Sequence, residues 1–113
     1  MKIKITLTQK FTKELNKLIA SRKLLIDDYE DLKAELSKDP YSGDLIIGTS
    51  GIRKIRLKSV SSGKSGGFRI CYYYLIKQSE IFLILIYSKN QQDNITAEQK
   101  KLLKEIANEI KKA

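Results

Sequence analysis

The chain of 113 residues carries 22 Lys and Arg against 13 Asp and Glu, a net charge of +9 with a pI near 9.6. That length suits one domain, residues 1–113, with a core of its own, and no stretch approaches the roughly 20 apolar residues of a membrane span. There is no histidine and a single cysteine, Cys71, which excludes His-based acid–base work, Ser-His-Asp and Cys-His triads and an internal disulfide, and makes a zinc site implausible.

The amino terminus, MKIKITLTQK, alternates and lacks the apolar core of a signal peptide, so the expectation is a soluble protein of the reducing cytoplasm. Lys2–Thr6 reads as a short strand. From Thr8 the period becomes helical: Phe11, Leu15, Leu18 and Ile19 fall on one face, and Thr8 is placed to cap it. A second helix is predicted from about Ile26 to Ser37, with Tyr29, Leu32 and Leu36 inward. Asp27, Asp28, Glu30 and Asp31 stand near its amino end, where acids suit the helix dipole. Asp39-Pro40-Tyr41-Ser42-Gly43-Asp44 then ends it, because proline and glycine each disfavour continuation.

Strands are predicted at Ile52–Lys58, Phe68–Lys77 and Ile81–Ser88, the first two joined by the turn Ser59–Gly67. The run from Ile81 to Ile86 is apolar throughout, the mark of a central strand buried on both faces. Thr96-Ala97-Glu98-Gln99 is a capping-box sequence. It opens a last helix whose Leu103, Ile106, Ala107 and Ile110 share a face. The order β-α-α-β-β-β-α predicts an α+β fold, a curved and mostly antiparallel sheet with its helices packed on one side.

Charge is placed within this order. Residues 51–90 hold Arg53, Lys54, Arg56, Lys58, Lys64, Arg69, Lys77 and Lys89 against Glu80 alone, which is +7 of the whole-chain +9. Residues 1–50 carry nine basic and eight acidic groups. Lysine outnumbers arginine, as an AT-rich genome also produces, so the clustering rather than the total points to a polyphosphate ligand such as nucleic acid. Strand alternation puts Lys54, Arg56 and Lys58 on one face, with Ile55 and Leu57 on the other. A lysine-protected edge strand accounts for one or two of these cations. It accounts less well for Lys64 and Arg69, which join them across the turn. In the next strand Arg69, Cys71 and Tyr73 alternate with Phe68, Ile70, Tyr72 and Tyr74. An arginine there is costly to bury unpaired, so Arg69 is expected to open onto a groove. Tyr87 and Lys89 share a face at the end of the last strand, placed to reach it too. The turn is no Walker A loop, since Lys58 stands where its first glycine belongs and a strand follows in place of a helix.

Gly51-Ile-Arg-Lys-Ile-Arg-Leu57, Gly63-Lys-Ser-Gly-Gly-Phe-Arg69, Tyr72-Tyr73 and Tyr87-Ser-Lys89 together resemble the RelE/HigB family of type II toxins, above all its HigB-like branch. The similarity extends over nearly the whole chain. It implies a RelE-like fold and a ribosome-dependent mRNA endonuclease (mRNA interferase) that cuts message in the ribosomal A site. It also implies an antitoxin partner, encoded beside the toxin, and no cofactor. By the same resemblance Lys54, Arg56 and Arg69 line the catalytic groove, and Lys89 matches a basic residue at the end of the last strand. Several members place a carboxy-terminal tyrosine near the scissile phosphate where this chain has Thr96. That role is vacant here or passes to Tyr73 or Tyr87.

RNA carries its own nucleophile, the 2′-OH, so cleavage needs neither metal nor histidine. The protein must align that hydroxyl, accept its proton, stabilise the phosphoryl oxygens and help the 5′-oxygen leave. Lys54 is the candidate base, Arg56 and Arg69 the phosphate ligands, and Tyr87 and Lys89 complete the catalytic set. Arg53, Lys58, Lys64 and Tyr73 are expected to hold flanking RNA, with Tyr73 or Tyr87 stacking on or orienting a base. The competing readings are a ParE-like toxin that poisons gyrase and a non-catalytic RNA- or DNA-binding module on the same sheet.

Overall fold

The switch from period two to period 3.6 at Thr8 is where strand gives way to helix. A computed structural model describes residues 2–58, 67–92 and 94–112. Strand β1 (Lys4–Leu7) leads into helix α1 (Gln9–Ala20), whose amino end is capped by Thr8 accepting a bond from Phe11 N at 3.2 Å. Helix α2 (Ile26–Lys38) follows Leu25, which supplies no side-chain cap, so Asp27 and Asp28 in its first turn complement the free N–H groups there. The chain then makes a two-residue strand, β2 (Asp44–Leu45), and runs through β3 (Arg53–Leu57), β4 (Phe68–Leu75), a 3-10 turn (Ile76–Gln78), β5 (Glu80–Ser88) and helix α3 (Ala97–Lys112). Helix α3 opens with the expected box: Gln99 N donates to Thr96 Oγ1 at 3.1 Å and Thr96 N to Gln99 Oε1 at 3.0 Å.

The sheet runs β1-β5-β4-β3-β2, with β1 parallel to β5 and every other pair antiparallel. Strand β2 is absent from the sequence reading, because two residues are too few to show a period and Pro40 and Gly43 flank them as breakers. On one face Ile55, Leu57, Ile70, Tyr72, Ile81, Leu83 and Ile86 pack with Phe11 and Leu15 of α1 and Leu32 and Leu36 of α2. On the other, Cys71, Tyr73, Ile84 and Tyr87 pack with Leu103 and Ala107 of α3. The expectation of helices on one side therefore holds for α1 and α2, and α3 is the correction. A central strand that is apolar on both faces leaves about 25 cal/mol per Å² of apolar surface unburied if either face stays wet, and α3 covers the second.

Strand β5 is irregular. Cys71 stands opposite Leu85 and Tyr72 opposite Leu83, which leaves Ile84 as an extra residue. This bulge reverses the parity of β5: Ile81 and Leu83 face α1 and α2, whereas beyond it Tyr87 faces α3.

Candidate functional site

Register brings the cations together. Arg56 stands directly opposite Arg69, and Arg69 opposite Tyr87, so the three form one row across β3, β4 and β5. Lys54 pairs with Cys71 in the next row, diagonal to Arg69. Directly opposed residues point to the same face, their Cβ atoms about 5 Å apart. Rows of like-facing residues are about 7 Å apart along a strand. Lys54, Arg56, Arg69 and Tyr87 therefore share a patch about 10 Å across, the scale of a single nucleotide linkage. Like charges placed directly opposite destabilise a sheet, and Arg56 and Arg69 are so placed. Arg56 is exposed, while Lys54 and Arg69 are half-buried. The Arg69 guanidinium is steered by its own strand, Nη1 donating to Phe68 O at 3.4 Å.

Below the cations the floor is uncharged. Cys71 is fully buried, and burial pushes its thiol up to about 12, against a smaller opposing pull from Lys54. The thiol is protonated at neutral pH and is no nucleophile. Tyr87 is 7% exposed and its hydroxyl is buried without a hydrogen-bond partner among the described residues. Burial raises its pKa, the nearby Cys71 adds to this, and Arg69 opposes it. Tyr73 is likewise raised by burial. Both phenols are therefore neutral near pH 7, able to donate a proton in a hydrogen bond but unsuited to act as the base.

The other expected RNA contacts divide. Lys58 is exposed just past β3, and Lys89 is exposed just past β5, where its N–H donates to Gly67 O at 3.1 Å. Arg53 points to the opposite face of the sheet. Its Nη1 donates to Gly43 O at 2.7 Å and Tyr41 O at 3.3 Å, and the guanidinium lies 5.1 Å from the Tyr41 ring centroid. It is thereby engaged in holding the loop before β2. Tyr73 shares the face of Arg69 but is only 9% exposed, covered by Gly51 and with Lys111 Nζ 5.9 Å from its ring centroid. Stacking a base on Tyr73 or Tyr87 would require both to leave their packing. Gly51 has φ +111 and a Cβ there would lie 3.1 Å from the Tyr73 ring, which explains a glycine at the head of the Gly-x-Arg-Lys motif. Lys64 and the turn from Ser59 to Gly66 lie outside the described residues.

Sequence reasoning missed Lys111, because no local pattern ties the last turn of α3 to the middle of β4, and it missed the part Cys71 plays in the floor. Among the described residues no three His, Cys, Asp or Glu side chains gather in a way that could hold a metal ion, and no helix is long and apolar enough to cross a membrane.

Comparison with known proteins agrees with this architecture. A family model described as the RelE toxin of the RelE/RelB toxin–antitoxin system matches residues 3–113. Among solved structures, a double arginine-to-alanine mutant of the E. coli toxin RelE in the free state superposes with a TM-score of 0.56. It is 22% identical, with 82% of this chain and 90% of that chain covered. That likeness is one of fold.

Proposed function

Because the chain belongs to the RelE toxin family of toxin–antitoxin systems, we propose that it is an mRNA interferase acting in the cytoplasm on message held in the ribosomal A site. The observation that carries this is the juxtaposition of Arg56 and Arg69 across β3 and β4, with Lys54 diagonal to them on the same face. Two guanidiniums so placed match the charge that develops on a phosphoryl group as the 2′-OH attacks, with the Lys54 amine beside them. The HigB-like branch is favoured by the Gly51–Lys89 motif.

Lys54, in its neutral amine form, takes the 2′-OH proton, since the buried thiol and both phenols of this face are themselves protonated. Arg56 and Arg69 bind the non-bridging oxygens. Lys89 and Lys58, at the rim, hold flanking phosphates. Tyr87, beneath Arg69, is a positioning residue. Such a site is weak on free RNA, which is flexible and poorly aligned, and the ribosome supplies the alignment. The products are then fragments ending in 2′,3′-cyclic phosphate.

The test is cleavage of translated message against the same RNA free in solution, with ends mapped. Fast cleavage only on ribosomes, yielding cyclic phosphate ends, is the expected outcome; equal rates, or 3′-hydroxyl ends, would exclude it. Arg69→Ala is expected to slow ribosomal cleavage by about 10²–10³-fold, as removal of an oxyanion donor does. Full toxicity in that variant would place the site elsewhere.

A further inference from the structure

The turn between β2 and β3 is held shut from within. Thr49 is fully buried, and its Oγ1 donates to Ile46 O at 2.7 Å and accepts from Ile52 N at 3.2 Å. Around it the backbone is left-handed at Gly48 (φ +85), Ser50 (φ +61) and Gly51 (φ +111). A backbone that changes hand from one residue to the next turns successive N–H groups toward one side, the concavity in which proteins hold anions. Here the N–H groups of Gly48, Ser50 and Gly51, all outside the strands, donate to nothing among the described residues.

Positive charge reaches the same place from α3. Lys100 is half-buried and lies across Gly48, its Cε 3.7 Å and its Nζ 3.9 Å from where a Cβ would stand. At the other end of the turn Gly51 abuts the ring of Tyr73, and Lys111 Nζ is 5.9 Å from that ring's centroid. Lys100 and Lys111 are about three helical turns apart, so they share the stripe of α3 that meets this turn. Among the described residues the ion pairs are Lys33–Glu30 and Lys112–Glu109, so Lys100 has no carboxylate within salt-bridge distance. Donors therefore gather here without an acceptor, in a turn that Thr49 keeps from folding them away.

We infer that the turn from Gly48 to Gly51 and Lys100 together form a second phosphate site, which holds a phosphate of RNA away from the cut. This rests on the RNA-binding part of the reading above and not on cleavage. The turn runs directly into β3, and Lys54 lies about 10 Å along the strand from Gly51, on the face of the sheet that α3 packs against. One strand of phosphates can thus pass from the cationic row to the turn. A single small anion would use the turn alone, and a carboxylate peptide does not match a row built around two guanidiniums and a turn of bare N–H groups as a phosphate chain does. The phosphate can come from message or from ribosomal RNA, since its chemistry is the same in both.

The experiment follows the amide resonances of Gly48, Ser50 and Gly51 in the full chain as a short 2′-O-methyl oligouridylate is added. That probe lacks the nucleophilic hydroxyl and stays intact whether or not the chain is a nuclease. The three amides are expected to move downfield, and uridine and a short oligoglutamate to leave them in place. Lys100→Ala is expected to make the log–log salt slope of oligouridylate binding shallower by about 0.7, one phosphate's share on a single strand, at unchanged circular dichroism. Lys101→Ala, beside it on α3, is expected to leave the slope as it was. Unmoved amides, equal movement with uridine or oligoglutamate, or the same slope change in Lys101→Ala overturns the inference. In ribosomal cleavage, a Lys100→Ala defect that vanishes as the message is shortened toward the cut assigns the phosphate to message, and one that persists at every length assigns it to ribosomal RNA. The amide and salt measurements stand apart from cleavage, which the Arg69→Ala assay reads separately.

Discussion

A single hydroxyl separates two demands on this fold. The phenol oxygen of Tyr87 is buried without a partner among the described residues, a state that costs roughly 1–3 kcal/mol relative to an apolar group of the same shape. Tyr87→Phe is therefore expected to raise the melting temperature. On the proposed mechanism it also loses the polar atom beneath Arg69, and ribosomal cleavage falls about tenfold, a loss of about 1.4 kcal/mol in the transition state. Higher stability with undiminished cleavage would make Tyr87 a packing residue and nothing more. The orientation of Arg69 was legible from strand alternation, since no irregularity interrupts β4 between Phe68 and Tyr74. That of Tyr87 was not, because its face depends on the extra residue Ile84.

At the scale of elements, the connection from α2 to β3 is pinned by Tyr72 from the middle of the sheet, together with Arg53. Tyr72 Oη donates to Pro40 O at 2.8 Å and accepts from Gly43 N at 2.9 Å. Tyr72→Phe is expected to lower stability by about 1–3 kcal/mol, read from the urea midpoint, because two backbone groups lose their partner. Gly43→Ala is expected to cost more. A Cβ there would lie 2.8 Å from Tyr72 Oη and 2.9 Å from Lys54 O, and the second of these is backbone that cannot swing aside. Since the strain falls on Lys54 itself, cleavage should fall with stability in Gly43→Ala and not in Tyr72→Phe. The sequence offers Tyr73 or Tyr87 for stacking on a base and leaves Tyr72 to packing. Distance along the chain hid that Tyr72 is a clamp for a loop some thirty residues earlier.

For the whole molecule, ionisation sets an upper limit in pH. Burial pushes Tyr29 up from 10.0 to about 12, with Glu30 adding to it. It pushes Cys71 up from 9.0 to about 12, and it raises Tyr72, Tyr73 and Tyr87. These groups lose protons more readily in the unfolded chain, so their contribution is fully present below about pH 9 and is lost as pH rises toward about 12. Urea midpoints are expected to stay level from neutrality to about pH 9 and to fall steadily above it. A midpoint that held level through pH 11 would mean that these groups titrate in the folded protein as they do in the unfolded one.

Local chemistry was enough to determine much of this protein. The cap at Thr8, the Thr96–Gln99 box, the break at Pro40, the alternation of β3 and β4 and the cationic segment from Arg53 to Lys89 each depend on neighbours a few residues away. Tertiary structure alone decided the rest. It set Arg56 against Arg69, turned Arg53 to the far face, brought α3 across the second side of the sheet and re-aimed Tyr87 through a bulge. Each of those outcomes depends on register between strands distant in sequence, and a period read along one strand carries no information about its partner.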